Sequence, residues 1–308
     1  MPELSVKFLE IASYGQSGSP GVDDSTLMEL PAYLRMDARG DLWTLDTGRK
    51  SAIRLSRGTR PAEIVGRTGH GPGEIAVALG IDISPSGVVW VADMGNAKIV
   101  GFRDGRVVSE FTVDHAPAGV ATPSDSTIWV GGDLMNTILM EYDRSGRRVG
   151  SAGQPILRGA HSFRLNQGVL AHGSGSCAVA WAYTFHSVVE CFSAAGKSLW
   201  RVRGPVPVEP GADADPRRMS GKDVFAYTDV VIDASRIYAL FVGHRATREG
   251  LHTRSVHVFD EATGHFLGAW QLPRQARFIL RRDSTFALLA DEPGPVVHVY
   301  RVREGEDR

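Results

Sequence analysis

Short runs of alternating apolar and polar residues follow one another along the chain, separated by turn residues. In residues 79–83 apolar residues alternate with small or polar ones, and Ser84-Pro85-Ser86-Gly87 then turns the chain. Residues 88–92 run back, and residues 98–102 and 107–113 provide two further segments of the same kind. Alternation with a period of two indicates half-buried β-strands, and no segment carries a helical period. The sequence therefore predicts an all-β protein.

This four-strand unit recurs, and an aromatic residue marks each copy. The marker residues are Trp43, Trp90 and Trp129, with fainter copies at Trp181, Tyr238 and Phe286. The 243 residues from Trp43 to Phe286 span five intervals, or about 49 residues each. A period of roughly 40–50 residues built from short strands is typical of propeller blades. We predict a six-bladed β-propeller of four-stranded blades that forms a single domain of residues 1–308.

The sixth repeat is one strand short. It supplies segments at residues 278–280, 285–290 and 296–300, and a charged tail at residues 303–308 follows. Residues 4–11 form an alternating segment ahead of the first repeat. Because an open sheet edge is costly, we expect residues 4–11 to pair with residues 296–301 and complete the last blade.

Composition narrows the class of partner. The chain has 34 Lys and Arg against 35 Asp and Glu, a net charge of -1, so bulk charge does not favour nucleic acid or an anionic membrane. Its apolar runs are too short to span a membrane. The N-terminus carries no signal segment, which predicts a cytoplasmic protein, or a secreted or periplasmic one if a leader was removed. We expect a monomer. The two cysteines, Cys177 and Cys191, are interpreted as buried free thiols.

A family resemblance rests on the second repeat. Its residues are Gly69-His70-Gly71-Pro72-Gly73-Glu74, then Gly80-Ile81-Asp82, then Val89-Trp90-Val91-Ala92-Asp93 and Asn96. Over residues 33–154 the chain resembles the NHL-repeat six-bladed propellers, in particular a bacterial branch with a Gly-x-Gly-Pro-Gly-Glu loop. Ile75 departs from the aromatic residue usual after that loop. The resemblance implies the propeller fold, and the group includes lyases, lactonase-like hydrolases and sensor domains. The glycine-rich loop itself is interpreted as a structural turn, because no helix follows it to form a phosphate site.

The inner strand of each blade lines the central channel, and alternate side chains face it. This register predicts channel-facing side chains at the following positions: Tyr33, Arg35, Asp37, Asp82, His172, Asp229, Arg277 and Arg281. Arg35 and Arg277 lie on adjacent blades, with Asp82 and Asp229 across the ring. The two arginines form either an anion-binding pair or Arg–Asp pairs that join the blades.

Three long connections, residues 150–163, 204–224 and 244–253, open on the same end of the channel, which we call the loop face. Long loops gathered on one face are often functional. They predict a site at this mouth, with Tyr183, His186 and His244 on its rim and His115 and His161 in connections between blades. Histidines from different blades could hold a divalent metal there, although no pair of them has tight ligand spacing. Acidic and amide side chains could instead hold Ca²⁺ or Mg²⁺.

Two functions remain open. The first is binding of a small molecule or peptide with an anionic or carbonyl group at the channel mouth. Its predicted contacts are Tyr33, Asp82, Asp229, Tyr183, His186 and His244. The second is an enzyme of the lyase, hydrolase or cyclase type, with or without a metal. Its predicted catalytic residues are Arg35, Arg277, His115, His161 and Tyr227, the arginines polarising a carbonyl or carboxylate and a histidine moving a proton.

Overall fold

Six four-stranded antiparallel sheets make up the protein, as a computed structural model shows. The structure describes residues 1–15, 28–55, 62–132, 136–158, 164–211, 222–246, 250–292 and 294–305. Within these ranges the only helical segment is a 3₁₀ turn, Arg164–Asn166, and no helix has the length and apolar composition needed to cross a membrane.

The strands follow chain order from the innermost to the outermost strand of each blade, except that the first strand completes the last blade. Blade 1 contains β2 (Pro31–Met36), β3 (Leu42–Asp46), β4 (Ser51–Arg54) and β5 (Glu63–Val65). A short parallel pair, β6 (Arg67–Thr68) and β7 (Glu74–Ile75), leads to blade 2, which contains β8 (Ala78–Ile83), β9 (Val89–Asp93), β10 (Lys98–Arg103) and β11 (Arg106–Thr112). Blade 3 contains β12 (Pro117–Ala121), β13 (Ile128–Gly132), β14 (Leu139–Tyr142) and β15 (Arg148–Ala152). Blade 4 contains β16 (Gly168–His172), β17 (Val179–Tyr183), β18 (Val188–Phe192) and β19 (Ser198–Arg203). Blade 5 contains β20 (Val224–Asp233), β21 (Arg236–Arg245), β22 (Thr253–Asp260) and β23 (Phe266–Ala276). Blade 6 contains β24 (Phe278–Arg282), β25 (Thr285–Asp291), β26 (Pro295–Glu304) and β1 (Val6–Tyr14).

The six inner strands form a closed ring. β2 contacts β8, β8 contacts β12, and the succession continues through β16, β20 and β24 back to β2. Glycines allow the close approach, since a Cβ on Gly80 would lie 2.7 Å from the Cα of Gly119. The marker aromatics of the repeats, such as Trp90 and Trp129, are buried between blades. The predicted six-bladed propeller is confirmed.

The N-terminal strand closes the ring. β1 pairs antiparallel with β26, from Val6 opposite Glu304 to Tyr14 opposite Val297. The predicted partner is therefore correct, but the pairing runs further than residues 4–11 and takes in Arg303 and Glu304, which the sequence assigned to a tail. Phe8 anchors the strand because its ring contacts those of Trp270, Phe286 and Tyr300.

The cysteine prediction was wrong. Cys177 and Cys191 form a disulfide, with Cα atoms 5.5 Å apart and both side chains fully buried in blade 4. Cys191 pairs with Ala180 in the ladder between β17 and β18, and Cys177 lies two residues before β17. The sequence alone does not fix this strand register, so the proximity of the two residues was missed.

Hydrogen bonds within the glycine-rich loop and from Lys98 stabilise its conformation. The Glu74 carboxylate accepts a hydrogen bond from the Gly71 N–H at 2.8 Å, and Lys98 Nζ donates to the Gly71 carbonyl at 2.9 Å. Gly69 has φ 154°, and a Cβ there would collide with the Glu74 carboxylate. These contacts favour the structural interpretation of the loop over a phosphate site.

Candidate functional site

A cup opens in the ring where the inner strands end. Its cavity of about 290 Å³ is lined by the last residues of β2, β8, β16, β20 and β24 and by the turns that follow them. We call this side of the ring the cup face. It lies opposite the loop face, because each inner strand starts at one side of the ring and ends at the other. The cavity is therefore at the other end of the channel from the mouth that the sequence selected.

Asp82 lies at the floor of the cup and is 1% exposed. One carboxylate oxygen, Oδ2, accepts hydrogen bonds from the backbone N–H and the hydroxyl of Thr122 in the next blade, at 2.6 and 2.8 Å. The other, Oδ1, lies 3.4 Å from Arg35 Nε. Burial by itself would raise the pKa of Asp82, but His172, Arg35 and Thr122 outweigh it and hold the pKa below its usual value. Asp82 is therefore a carboxylate that joins two blades.

Arg35 reaches across the channel. Its guanidinium donates to the Leu170 carbonyl of blade 4 at 3.3 Å, although its own strand, β2, belongs to blade 1. A second donor contacts the Leu34 carbonyl at 2.9 Å. With its side chain only 10% exposed and paired with Asp82, Arg35 is part of the floor. The structure thus agrees with the Arg–Asp pairing that the sequence left open.

His172 completes the floor from blade 4. Its Nδ1 lies 2.7 Å from Asp82 Oδ2, and its side chain is 31% exposed. Of the two neutral tautomers of an imidazole, a carboxylate facing Nδ1 selects the one with its proton on Nδ1, and in that tautomer Nε2 carries the acceptor lone pair. The sequence placed His172 on the channel side but did not select it as a site residue.

Blades 5 and 6 provide the opposite wall. Arg281 Nε lies 3.8 Å from Asp233 Oδ2, and burial raises the pKa of Asp233. The Arg282 guanidinium donates to the backbone carbonyls of Met36 and Asp37 at 3.3 and 2.7 Å. Because carbonyls carry no formal charge, these contacts do not neutralise the positive charge of Arg282 at the rim.

Arg277 and Tyr33, two further channel residues predicted from the sequence, do not line the cup. Arg277 is ion-paired with Asp291 at 3.1 Å and packs over the ring of Phe278. Tyr33 packs against the same Phe278 ring, and burial and then the charge of Asp229 raise its pKa to about 12. The anion-binding pair of Arg35 and Arg277, one of the two alternatives, is therefore not found, because each arginine has its own carboxylate partner.

A β-bulge lies at Tyr33 in the inner strand of blade 1. The pairing of β2 with β3 shifts between Ala32 and Leu34, and Tyr33 has φ 55°. Similar shifts occur in β8, β12 and β20. A bulge inserts one residue and reverses the alternation beyond it. The period-two register therefore holds only for the part of the inner strand that follows the bulge.

Asp229 joins blades 5 and 6 as Asp82 joins blades 2 and 3. It is fully buried, and its two oxygens accept hydrogen bonds from the N–H groups of Val230 and Ile279 at 3.0 and 2.8 Å. Burial raises its pKa to about 6, although Arg35 and both N–H donors act in the opposite direction. Two carboxyls that each join neighbouring blades thus have opposite pKa shifts.

The remaining predicted residues lie away from the cup, and His161 lies outside the described residues. The Tyr227 hydroxyl is 3.1 Å from His257 Nδ1 in the core, and Tyr183 is buried with its hydroxyl 3.5 Å from Glu190. His115 lies 3.2 Å from Asp114. His186 is buried, which lowers its pKa to about 4, and His244 contacts the backbone carbonyls of Arg245 and His252.

The long connections do gather on the loop face, as expected. A hydrophobic cluster there contains Leu165, Phe185, Phe225 and Val242, with Leu157 and Leu251 packed against it. Arg164 is buried beside it, paired with Asp223 at 3.2 Å and stacked on Phe185. The third connection is shorter than predicted, because β21 continues through His244. In their described parts these loops form a small packed layer.

Metal-binding side chains do not converge in the described ranges. No group of three or more His, Cys, Asp or Glu residues there has the arrangement that could hold a metal ion. The described part of the molecule therefore gives no location for the Ca²⁺ or Mg²⁺ considered from the sequence.

Comparison with known proteins supports the fold. No protein-family model matches the chain, and no curated protein is similar to it in sequence. Among solved structures, virginiamycin B lyase from Staphylococcus aureus matches with a TM-score of 0.61 at 11% identity, covering 97% of this chain and 99% of the lyase. Protein BF0058 from Bacteroides fragilis matches with a TM-score of 0.64 at 11% identity, covering 98% and 96%. BBS1N, solved in complex with ARL6DN, matches with a TM-score of 0.53 at 12% identity, covering 96% and 97%.

These similarities concern the propeller alone. The matched proteins include a lyase, solved also in a catalytically inactive form with quinupristin, and a protein solved with a protein partner. At 11–12% identity the shared architecture does not select between such functions. The NHL-repeat membership expected from the sequence is not supported by a family match.

Proposed function

We propose that the cup binds a small molecule with a carboxylate or carbonyl group, in contact with His172 and Arg282. The observation that supports this proposal most directly is the 2.7 Å contact between His172 Nδ1 and the buried Asp82 carboxylate. This contact fixes the imidazole at the floor of an open cavity. A positioned ring nitrogen and a rim guanidinium without a carboxylate partner among the described residues are the kind of convergent polar groups that orient a ligand.

The network behind His172 supports this function. Asp82 is held by Thr122 and Arg35, and Arg35 is held by Leu170, so the imidazole rests on groups from four blades. Rigid support reduces the entropy lost when a ligand binds. Because Arg35 closes the channel beneath the cup, a ligand enters from the cup face.

Binding can be tested with three small probes of graded chemistry: acetate, acetone and pyruvate. We expect pyruvate to raise the thermal midpoint of the wild-type protein and to bind at least ten times more weakly to the His172→Gln variant. His265→Gln, which removes an exposed histidine outside the cup, is the matched control and should bind as wild type does. Equal binding by wild type and His172→Gln would contradict the proposal.

An acid–base enzyme is the second candidate, and the Asp82–His172 pair is the observation that favours it. A carboxylate that fixes the tautomer of an imidazole prepares Nε2 to accept a proton from a bound molecule and to return it. Compounds that bind should then be turned over, as followed by NMR, at a rate that depends on one ionisation. His172→Gln should remove both the turnover and that pH dependence, while turnover that persists would exclude His172 as the base.

We also infer that the protein matures in an oxidising compartment, not in the cytoplasm that the N-terminal residues predicted. The buried Cys177–Cys191 disulfide supports this, because such bonds are rare in reducing compartments. Protein isolated from its native cells and unfolded in the presence of an alkylating agent should carry no alkylated cysteine by mass spectrometry. Alkylation of both cysteines would contradict the inference.

A further inference from the structure

A second cavity adjoins the cup. It lies between blades 1 and 2 on the cup face, has a volume of about 260 Å³, and is lined by Trp43, Arg54, Glu63, Phe102 and Arg103 among others. We call it the groove. Asp37, Ala38 and Pro85 line both cavities, so a single short wall separates the groove from the cup.

Arg103 is a charged group of the groove that has unused donors. Its NH2 group donates to the Ser86 hydroxyl at 2.5 Å, and its Nε is buried without a hydrogen-bond partner among the described residues. A guanidinium has five N–H donors, and a buried donor without a partner is costly. An anionic group that enters the groove would supply acceptors for this side chain.

Three arginines along the two cavities lack carboxylate partners in the described ranges. They are Arg282 at the cup, Arg39 in the turn between the cavities and Arg103 in the groove. Among the residues that the structure describes, none of their guanidinium nitrogens lies within 4.0 Å of a carboxylate oxygen. The positive charge therefore follows a line from the cup into the groove.

Most carboxylates along this line are already engaged. Arg54 lies 3.3 Å from Asp41 and 3.2 Å from Glu63. Asp37 accepts hydrogen bonds from two backbone N–H groups of its own turn and from Trp43 Nε1. Asp104 is an opposing charge in the groove, and it is exposed in the turn after β10.

We propose that the cup and the groove form one extended site for a small molecule with two anionic groups, carboxylates or phosphates. One group contacts His172 and Arg282, and the other contacts Arg103, with Arg39 between them. Each cavity alone is just below the usual range of ligand pockets, roughly 300–1,000 Å³, whereas the two together fall within it. This inference rests on the proposed function of the cup and adds the class of ligand.

A series of acids of increasing length tests the extended site. The probes are the straight-chain dicarboxylates from malonate to suberate, the monocarboxylates of the same lengths, and the corresponding bisphosphonates, each titrated by calorimetry. We expect one chain length at which the dianion binds at least ten times more tightly than the monocarboxylate. The bisphosphonate arm shows whether carboxylate or phosphate is the preferred group.

Variants test whether the tighter binding of the dianion depends on the groove. Arg103→Gln should abolish the advantage of the dianion and leave monocarboxylate affinity unchanged, whereas Arg282→Gln should weaken both. Arg106→Gln, an exposed arginine of β11 that does not line the groove, is the matched control. A dianion advantage that persists in Arg103→Gln overturns the inference.

Other outcomes separate this inference from the function on which it rests. Monocarboxylates that bind and depend on His172, without any advantage for a dianion, overturn the extended site and leave the proposed function intact. Absence of binding by every acid in the series overturns both.

Discussion

Asp82 and Asp229 each join two neighbouring blades, yet their replacement by asparagine should have unequal effects. Each accepts a backbone hydrogen bond from the next blade, at 2.6 Å from Thr122 and 2.8 Å from Ile279. Only Asp82 also faces an arginine and a histidine directly. We therefore expect Asp82→Asn to destabilise the protein far more than Asp229→Asn at pH 7.

The magnitude for Asp82 follows from the charge left behind. Asp82→Asn leaves the Arg35 guanidinium, whose side chain is 10% exposed, without its carboxylate. Removing one partner of a buried ion pair costs about 3–5 kcal/mol. We expect the free energy of unfolding to fall by this amount.

For Asp229 two effects oppose each other. Its pKa is raised from 3.8 to about 6, so its charge at pH 7 already costs the folded state about 3 kcal/mol, which asparagine avoids. An amide has only one acceptor oxygen, so one of the two N–H donors loses its partner at a cost of about 1–3 kcal/mol. The net change should be within about 2 kcal/mol of zero.

Urea unfolding followed by tryptophan fluorescence measures both changes, and pH provides an internal check. Because the folded-state pKa of Asp229 is raised, the native protein binds this proton more tightly, and the group adds stability as pH falls from about 6 towards 3.8. Asp229→Asn cannot gain this stability. Its free energy of unfolding should therefore fall further below that of the wild type at pH 5 than at pH 7. Equal destabilisation by the two variants at pH 7 would refute the reasoning.

Three further predictions concern stability. Replacing Cys177 and Cys191 by alanine removes a link across 14 residues and should lower the free energy of unfolding by about 3 kcal/mol. Reducing agent should destabilise the wild type and leave this variant unchanged. A wild type that is equally stable after reduction would contradict this prediction. Burial lowers the pKa of His257 to about 4, so below pH 6.5 the unfolded chain gains a proton that the native protein does not, and up to about 3 kcal/mol should be lost as pH falls to 4. His257→Gln should show a correspondingly flatter pH dependence of the urea midpoint, and an unchanged slope would exclude this histidine as the cause. Phe8→Ala should lower the free energy of unfolding by about 3 kcal/mol and lower the thermal midpoint accordingly. Leu9→Ala, which changes an exposed neighbour on β1, should have little effect. Similar effects of the two substitutions would show that packing does not hold the strand.

The sequence predicted the ring and its closure because both depend on periodic, local features. The alternation of residues 79–83 and the spacing of Trp43 and Trp90 are visible in the chain itself. Closure followed from counting strands, since the last repeat was one short. Alternation, spacing and strand count can be recognised even when the exact ends of each strand are uncertain.

The site was harder to predict, because it depends on contacts across the channel. His172 and Asp82 are 90 residues apart and meet only when blades 2 and 4 face each other. The bulge at Tyr33 also reverses the alternation on which channel-facing residues were assigned. Arg35 and Asp82 were placed correctly because both follow the bulge of their strand.

The pairing of β1 with β26 has a consequence for synthesis of the protein. Ribosomes add roughly 5–20 residues per second, so roughly 15–60 s pass between the appearance of Tyr14 and that of Glu304. During this interval β1 has no native partner, and Leu9 and Ile11 are exposed on a free backbone edge. Blades 1 to 5 can form their internal sheets as they emerge, but the ring exists only after translation has reached its end. The nascent chain is therefore the form of this protein most prone to pair with another chain.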